Sequence, residues 1–244
     1  MDAFADWIAA LEARHLADLT FQEVSRSLRA LSSVYVERRG RLTDGAALSG
    51  RGKRAAFALF YGPLHFVLVR HIAHALGALP RCDAIVDLGC GTGASGAAWA
   101  TTSTTPPTLL GVDRHPWAVD EARQTYRALG LRGRAQVGDG AGMTVPAGSA
   151  VLAAFFVNEL DEASRSALLP RLCAHAERGS HLLVVEPVAR AAAPWWPAWR
   201  RAVESVGGRS QEWRVRLPLP PIVEKLDRAA GLNHRELTAR TLYV

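Results

Sequence analysis

A chain of 244 residues, 49% of them hydrophobic, can bury a full core of its own, so a disordered segment and a small disulfide-stapled scaffold are both poor fits. Its three cysteines, Cys82, Cys90 and Cys173, form no Cys-x-x-Cys pair and are odd in number, which argues against a disulfide framework. A net charge of +6 and a pI of about 9.8 suggest an anionic partner, but of the 29 basic residues only Lys53 and Lys225 are lysines. The arginines lie scattered among acids in clusters no longer than "ERRGR" (37–41), the pattern of a GC-rich coding bias and a mixed solvated surface rather than of a nucleic-acid stripe.

Residues 1–80 carry helical periodicity. Phe4, Trp7, Ile8 and Leu11 recur at three and four, as do Leu28, Leu31 and Val34, and "AAFALFYGPLHFVLVRHIAHALGAL" reads as a buried helix broken near Gly62 and Pro63. On this reading no apolar run reaches membrane-spanning length. The start, "MDAFADWIAALEARH", is acidic where a secretory signal is basic, so a cytoplasmic protein without membrane contact is expected.

From Ala84 the pattern changes to short apolar strands alternating with helices: "AIVDL", "TLLGVD", "RAQVGD", "AVLAAFF" and "HLLVVE". Near-continuous apolar runs of this kind are parallel strands covered on both faces, which predicts a doubly wound α/β sheet of Rossmann-like type. A Trp-rich segment (Trp195, Trp196, Trp199), a strand "QEWRVRL", a helix "PPIVEKLDRAAG" and a last strand "RELTARTLYV" complete the chain. The expected organisation is a helical cap over 1–80 and a cofactor-binding domain over 81–244.

The end of the first strand, "VDLGCGTGASGAA" (86–98), admits two readings. Gly91, Gly93 and Gly96 spell the Gly-x-Gly-x-x-Gly of a dinucleotide site, with Asp113 at a suitable distance to bind a ribose. Asp87, however, places a carboxylate where a pyrophosphate would rest on the positive end of the next helix, and would repel it. S-adenosylmethionine (SAM) carries an ammonium and a sulfonium there instead, and an acid favours both. Asp113 can accept both ribose hydroxyls and Asp139 the adenine amino group. Each acid alone is equally a loop residue or a helix cap, but together they end three successive strands.

On these residues the segment from about Ala84 to Pro187 resembles the class I SAM-dependent methyltransferases. The resemblance implies that Asp87 with the backbone of Gly89, Cys90, Gly91 and Gly93 holds the methionine part of SAM. It implies further that Asp113, beside Arg114, holds the ribose, that Asp139 and Gly140 hold the adenine, and that Phe156 lines the same pocket. The end of the fourth strand, "FFVNEL", would face the methyl group, with Asn158 orienting an acceptor and Glu159 taking its proton or holding a cationic substrate. Tyr61, with His65, would close over them as a lid contact from the cap. Glu159 and Asp161 also suit the first turn of the helix "DEASRSALLPRL". The Trp segment could wall an organic cation or pack a buried helix.

"LSSVYVERRG", "AAFALFYGPLHFVLV", "FFVNELDEASR" and "LLVVEP" are also similar to the methyltransferase-like family associated with assembly of the small ribosomal subunit. That family carries a C-terminal cysteine cluster suited to iron–sulfur binding, and this chain has no cysteine after Cys173, so the cluster does not carry over. His65, His71 and His74 share a helix but lack an acid or cysteine partner nearby, so no metal is expected. The expected activity is methyl transfer to a small-molecule acceptor. The alternatives are an rRNA methyltransferase or non-catalytic ribosome-assembly factor, and an enzyme that cyclises SAM itself.

Overall fold

The computed structural model describes residues 2–37, 48–77, 82–188 and 193–244; most of the "ERRGR" cluster and the expected boundary at 80–81 lie outside them. Seven strands form one sheet: β1 (Ala84–Leu88), β2 (Thr108–Asp113), β3 (Gly133–Val137), β4 (Ala150–Ala154), β5 (Leu182–Glu186), β6 (Arg209–Val215) and β7 (Leu237–Tyr243). Their order is β3-β2-β1-β4-β5-β7-β6. Strands β1 to β5 are parallel and β7 runs antiparallel to both β5 and β6. The order reverses between β1 and β4, and in an open sheet the crevice at the carboxyl ends beside such a reversal receives the ligand.

Alternation along the strands divides the core in two. Ile85, Leu109, Leu152 and Leu183 point to one face, under α1 (Ala3–His15), α4 (Gly62–Leu76), α5 (Ala94–Ala100), α6 (Pro116–Ala128) and α9 (Pro221–Ala230). Val86, Leu88, Val151 and Val184 point to the other, under α7 (Glu162–Glu177) and α8 (Trp196–Ser205). Every residue of β4 and β5 is buried, which is why those runs contain almost no polar residue. The N-terminal helices share the first of these cores. Trp7 and Leu11 of α1, Leu28 of α2 (Phe21–Glu37) and Phe66 and Val69 of α4 are fully buried against it, and burying each such side chain is worth about 1.5–3 kcal/mol.

The expected break at Gly62 and Pro63 is instead a change of pitch. α3 (Arg51–Ala56), a π-helical turn (Phe57–Tyr61) and α4 follow one another without interruption, and the Gly62 N–H bonds to the Phe57 carbonyl five residues back. Pro63 therefore falls in the first turn of α4, after a wide turn with room for its ring, so the proline does not end the helix. This changes the reading of length as well. Arg51–Leu76 is a 26-residue helix, long and apolar enough to cross a membrane by composition alone, but 72% of its apolar window is buried inside the fold.

Candidate active site

Three acids lie at or just beyond the carboxyl ends of β1, β2 and β3, and each is tied to a nearby loop. The Asp87 carboxylate is turned inward, where its Oδ2 accepts from the Gly96 N–H at 3.1 Å. A Cβ at position 96 would lie 2.5 Å from that oxygen, so the third glycine of the motif makes room for Asp87. Burial pushes the Asp87 carboxyl up to about 8, the Gly96 N–H pulls it back, and the charge of Asp113 adds to the rise. Asp113 accepts from the Gly91 N–H at 2.9 Å with one oxygen and from the His115 N–H at 2.8 Å with the other. Asp139, half-exposed, accepts from Arg114 at 2.9 Å and from the Ala141 N–H at 3.2 Å. Arg171 of α7 donates to the carbonyls of Ala141 and Met143, which fixes the loop that carries Asp139 and Gly140.

Between these acids the glycine loop needs its glycines. Gly89, Gly91 and Gly93 have φ of 65°, 52° and 75°, the left-handed region that side chains rarely adopt. A Cβ at Gly89 would also overlap the ring of Phe156, 2.1 Å away. That ring fills the gap between Gly89 and Gly140. Cys90 faces the other way: its buried thiol packs toward Gly111 and Tyr126, and only its backbone belongs to the loop.

Above the loop stand aromatic rings from the π-helical turn. Phe57 comes within 3.6 Å of a Cβ built on Gly91, and Gly62 sits against the Thr92 hydroxyl. Phe57, Tyr61 and His65 follow one another at intervals of four, with ring centres 5.7 and 5.9 Å apart. His65 stacks on Phe155 at 3.9 Å and 17°. Burial holds the His65 imidazole down to about 3, and His234 lowers it further, so it is neutral at physiological pH. Phe155 has φ of 57°, the one non-glycine residue among those described with a positive φ, a strain of about 1–2 kcal/mol. That turn sends Phe155 to the roof and Phe156 to the glycine loop.

The ends of β4 and β5 form the remaining wall. Asn158 and Glu159 lie in a 3₁₀ turn (Val157–Glu159), separate from α7, whose N-cap is Asp161 bonding the Ser164 N–H at 2.7 Å. Asn158 is half-buried and its Oδ1 accepts from the Trp195 indole at 2.9 Å, while Glu159 is exposed. The Asn158 N–H donates to Glu186 at the end of β5, a fully buried carboxyl that burial pushes up to about 8 and the Glu159 charge raises further. Arg240 faces Glu186 across the β5–β7 pair, its guanidinium 4.1 Å from the centre of the Trp196 ring. Trp196 and Trp199 are therefore packing residues, and Trp195 alone of the three reaches the Asn158 side chain.

The arrangement brings together Asp87, Gly89, Gly91, Gly93, Asp113, Asp139, Gly140 and Phe156 around one loop, with Tyr61 in the roof and Asn158 on the wall. Sequence reasoning passed over Phe57, Phe155, Glu186 and Arg240. The i, i+4, i+8 line of Phe57, Tyr61 and His65 was a signal for the first; the others become neighbours only through the sheet. Asp227 and His234, paired at 2.5 Å beside Phe60, were also missed. Among the described residues no three or more His, Cys, Asp or Glu side chains converge as metal ligands would.

Residues 85–179 match a family described as the methyltransferase domain. The matched stretch covers 95 of the 244 residues and contains the glycine loop together with Asp87, Asp113 and Asp139. A comparison with curated protein sequences gives no match. Among solved structures the chain is similar to the mitomycin 7-O-methyltransferase MmcR, at 16% identity and a TM-score of 0.53, over 96% of this chain and 71% of that one. A SAM-dependent methyltransferase from Aquifex aeolicus aligns at 13% identity and TM-score 0.48, over 75% of this chain and 91% of that one. The tRNA (uracil-54, C5)-methyltransferase of Pyrococcus abyssi, solved with S-adenosyl-L-homocysteine, aligns at 16% and 0.47, over 74% of this chain and 38% of that one. The fold is that of the class I methyltransferases: a mostly parallel seven-stranded sheet with helices on both faces.

Proposed function

We propose that this chain transfers the methyl group of SAM to a small-molecule acceptor held where β4 and β5 end. The observation that carries the donor side is the bond from the Gly96 N–H to Asp87. In a dinucleotide site the first-turn N–H groups of this helix receive the pyrophosphate; here one of them is already given to the protein's own carboxylate. The donor set therefore suits a cation.

The residues divide the work by position. Asp87 and the backbone of Gly89, Cys90, Gly91 and Gly93 would hold the methionine part, Asp113 the ribose, with Arg114 held beside it by Asp139, and Asp139 and Gly140 the adenine. When bound, SAM supplies a methyl group already activated by its sulfonium, so little chemistry is left for the protein beyond alignment in a dry pocket. Asn158, its carbonyl fixed by Trp195, presents its amide N–H groups to orient an acceptor. Glu159, exposed at the mouth, would take the proton that the acceptor loses. Tyr61 would cover the pair. The helical cap over 1–80 would thus complete the site of the domain over 81–244.

The test is mass spectrometry of the adenosyl product after incubating the protein with SAM and a cell extract. S-adenosylhomocysteine together with a methylated small molecule is the expected outcome. Methylthioadenosine would replace methyl transfer by self-attack of SAM, methylated RNA would replace the acceptor class, and SAM recovered intact would remove turnover.

A further inference from the structure

The N-terminal helices meet the sheet domain at a second place, away from the roof, and there the contact is charged and buried at once. Glu121 lies in the second turn of α6 with its side chain 3% exposed, and Arg14 and His15, the last two residues of α1, close on it. Arg14 donates to Glu121 Oε1, and His15 Nε2 stands 3.2 Å from the same oxygen. The partners are 107 and 106 residues apart in sequence, so the contact forms only when α1 docks. The first turns of α1 need no such help, because Trp7, Ile8 and Leu11 already bury them in the core. Apolar residues in place of a buried ion pair often keep or raise stability. What such a pair supplies beyond packing is a defined register between two helices.

That register reaches the end of β2 through Trp117, which lies one turn before Glu121 on the same side of α6. The half-buried Trp117 ring has His15 of α1 edge-on at 6.3 Å, Arg54 of α3 at 5.9 Å and His115 edge-on at 6.1 Å. His115 is the N-cap of α6: its Nδ1 accepts from the Trp117 N–H at 3.2 Å, and its own N–H donates to Asp113 at 2.8 Å. Asp113 gives its other oxygen to the Gly91 N–H of the glycine loop. A run of direct contacts thus leads from α1 and α3, by way of Trp117 and His115, to the acid that ends β2.

We propose that Glu121 and Trp117 are positioning residues: through them the N-terminal helices set the turn that carries Asp113, so that docking of the last turn of α1 and binding of SAM favour each other. The inference rests on the SAM reading of Asp113 and adds to it a coupling with helices that lend that acid no hydrogen bond. Such coupling is reciprocal. If the docked helix raises SAM affinity, SAM holds the helix down by the same factor.

The test joins titration calorimetry with SAM to hydrogen exchange of the last-turn amides of α1, on the full chain as wild type, Glu121→Leu, Arg14→Gln, Trp117→Ala, Trp117→Phe and Arg51→Ala. Glu121→Leu and Trp117→Ala should each raise the SAM dissociation constant roughly five- to fifty-fold, within the usual range of coupling between sites. Arg14→Gln, at the more exposed partner, should act in the same direction and covers the case in which Glu121→Leu does not fold. Trp117→Phe keeps an aromatic ring and should stay within about twofold of wild type. Arg51→Ala removes an exposed pair with Asp18 elsewhere on the N-terminal helices and should change neither reading. In wild type, SAM should slow exchange in the last turn of α1, and Glu121→Leu should abolish that protection. A fall in melting temperature with the SAM dissociation constant and the protection unchanged marks a merely structural pair; it overturns the coupling and leaves the SAM site standing. Failure of the wild-type chain to bind SAM overturns the donor reading and the coupling with it.

Discussion

The two walls of the site are built by different means. On the proposed donor side the contacts are local: Asp87 bonds a backbone N–H nine residues on, Asp139 one two residues on, and Asp113 reaches across a single strand pair to Gly91. On the proposed acceptor side the partners come from distant parts of the chain. Asn158 meets Glu186 and Trp195 at separations of 28 and 37 residues, and Glu186 meets Arg240 through the antiparallel return of β7. The donor wall is a loop held by its own backbone; the acceptor wall exists only when the sheet is complete. Changes to the first should act on ligand affinity, and changes to the second on folding and turnover.

The sharpest break of that contrast is Glu186→Ala. It removes a buried carboxyl that accepts from the Asn158 N–H and should cost about 1–3 kcal/mol, a fall in melting temperature of roughly 2–12 °C for a chain of this size. Glu186→Gln should cost less, because a carboxyl held up at about 8 is largely protonated at neutral pH. A melting temperature unchanged in both variants would remove Glu186 from the framework. Next in size, Asn158→Ala should slow methyl transfer at saturating SAM by about 100-fold with SAM affinity unchanged. Glu159→Gln and Tyr61→Phe should follow the same pattern more mildly. If all three keep wild-type turnover, the proposed acceptor site at the end of β4 is wrong.

Asp113→Ala should do the reverse, weakening SAM by about 1–3 kcal/mol in calorimetry with less effect on turnover at saturation. In the same assay SAM should raise the melting temperature and NADH should not; NADH stabilisation without a SAM response would return the loop to a dinucleotide.

The contrast has a pH signature on both walls. Asp87 and Glu186 have folded pKa values near 8, raised above the usual carboxylate range, so between about pH 4 and 8 the folded chain binds more protons than the unfolded one. Stability is then fully present at the acid end and falls as pH rises toward 8. Melting curves from pH 5 to 8.5 should show this decline, and Asp87→Asn should flatten it. Binding of SAM below pH 8 should release a proton from Asp87, read as a buffer-dependent heat that Asp87→Asn abolishes. The smallest effect belongs to Arg114→Ala, which removes a half-exposed pair with Asp139 and should change stability by less than about 1 kcal/mol.

How much of this was legible follows from the same division. The parallel strands, the three acids and the glycines could be read because apolar runs and backbone-demanding residues are local signals. The inward turn of Asp87 could not, since it depends on the space left by Gly96. The Gly62-Pro63 pair suggested a broken helix because a proline normally clashes with the preceding turn; a π turn removes the clash, and the sequence carries no mark of it beyond the aromatic line. Glu186 read as the end of an apolar strand. Its pairing with Arg240 needed the insertion of β7 between β5 and β6.

The roof has one more consequence, for how a ligand would meet it. Ala58, Leu59 and Phe60 lie on the far side of the turn that carries Phe57 and Tyr61, and each is at most 1% exposed. Swinging the helix aside to admit a cofactor would bring Leu59 and Phe60 into water, at about 1.5–3 kcal/mol apiece. That burial keeps this part of the helix in place, and leaves the half-buried Phe57 and Tyr61 rings as the parts of the turn freest to move. A cofactor bound as proposed would then meet a roof already in position, its shape fixed by the core behind it.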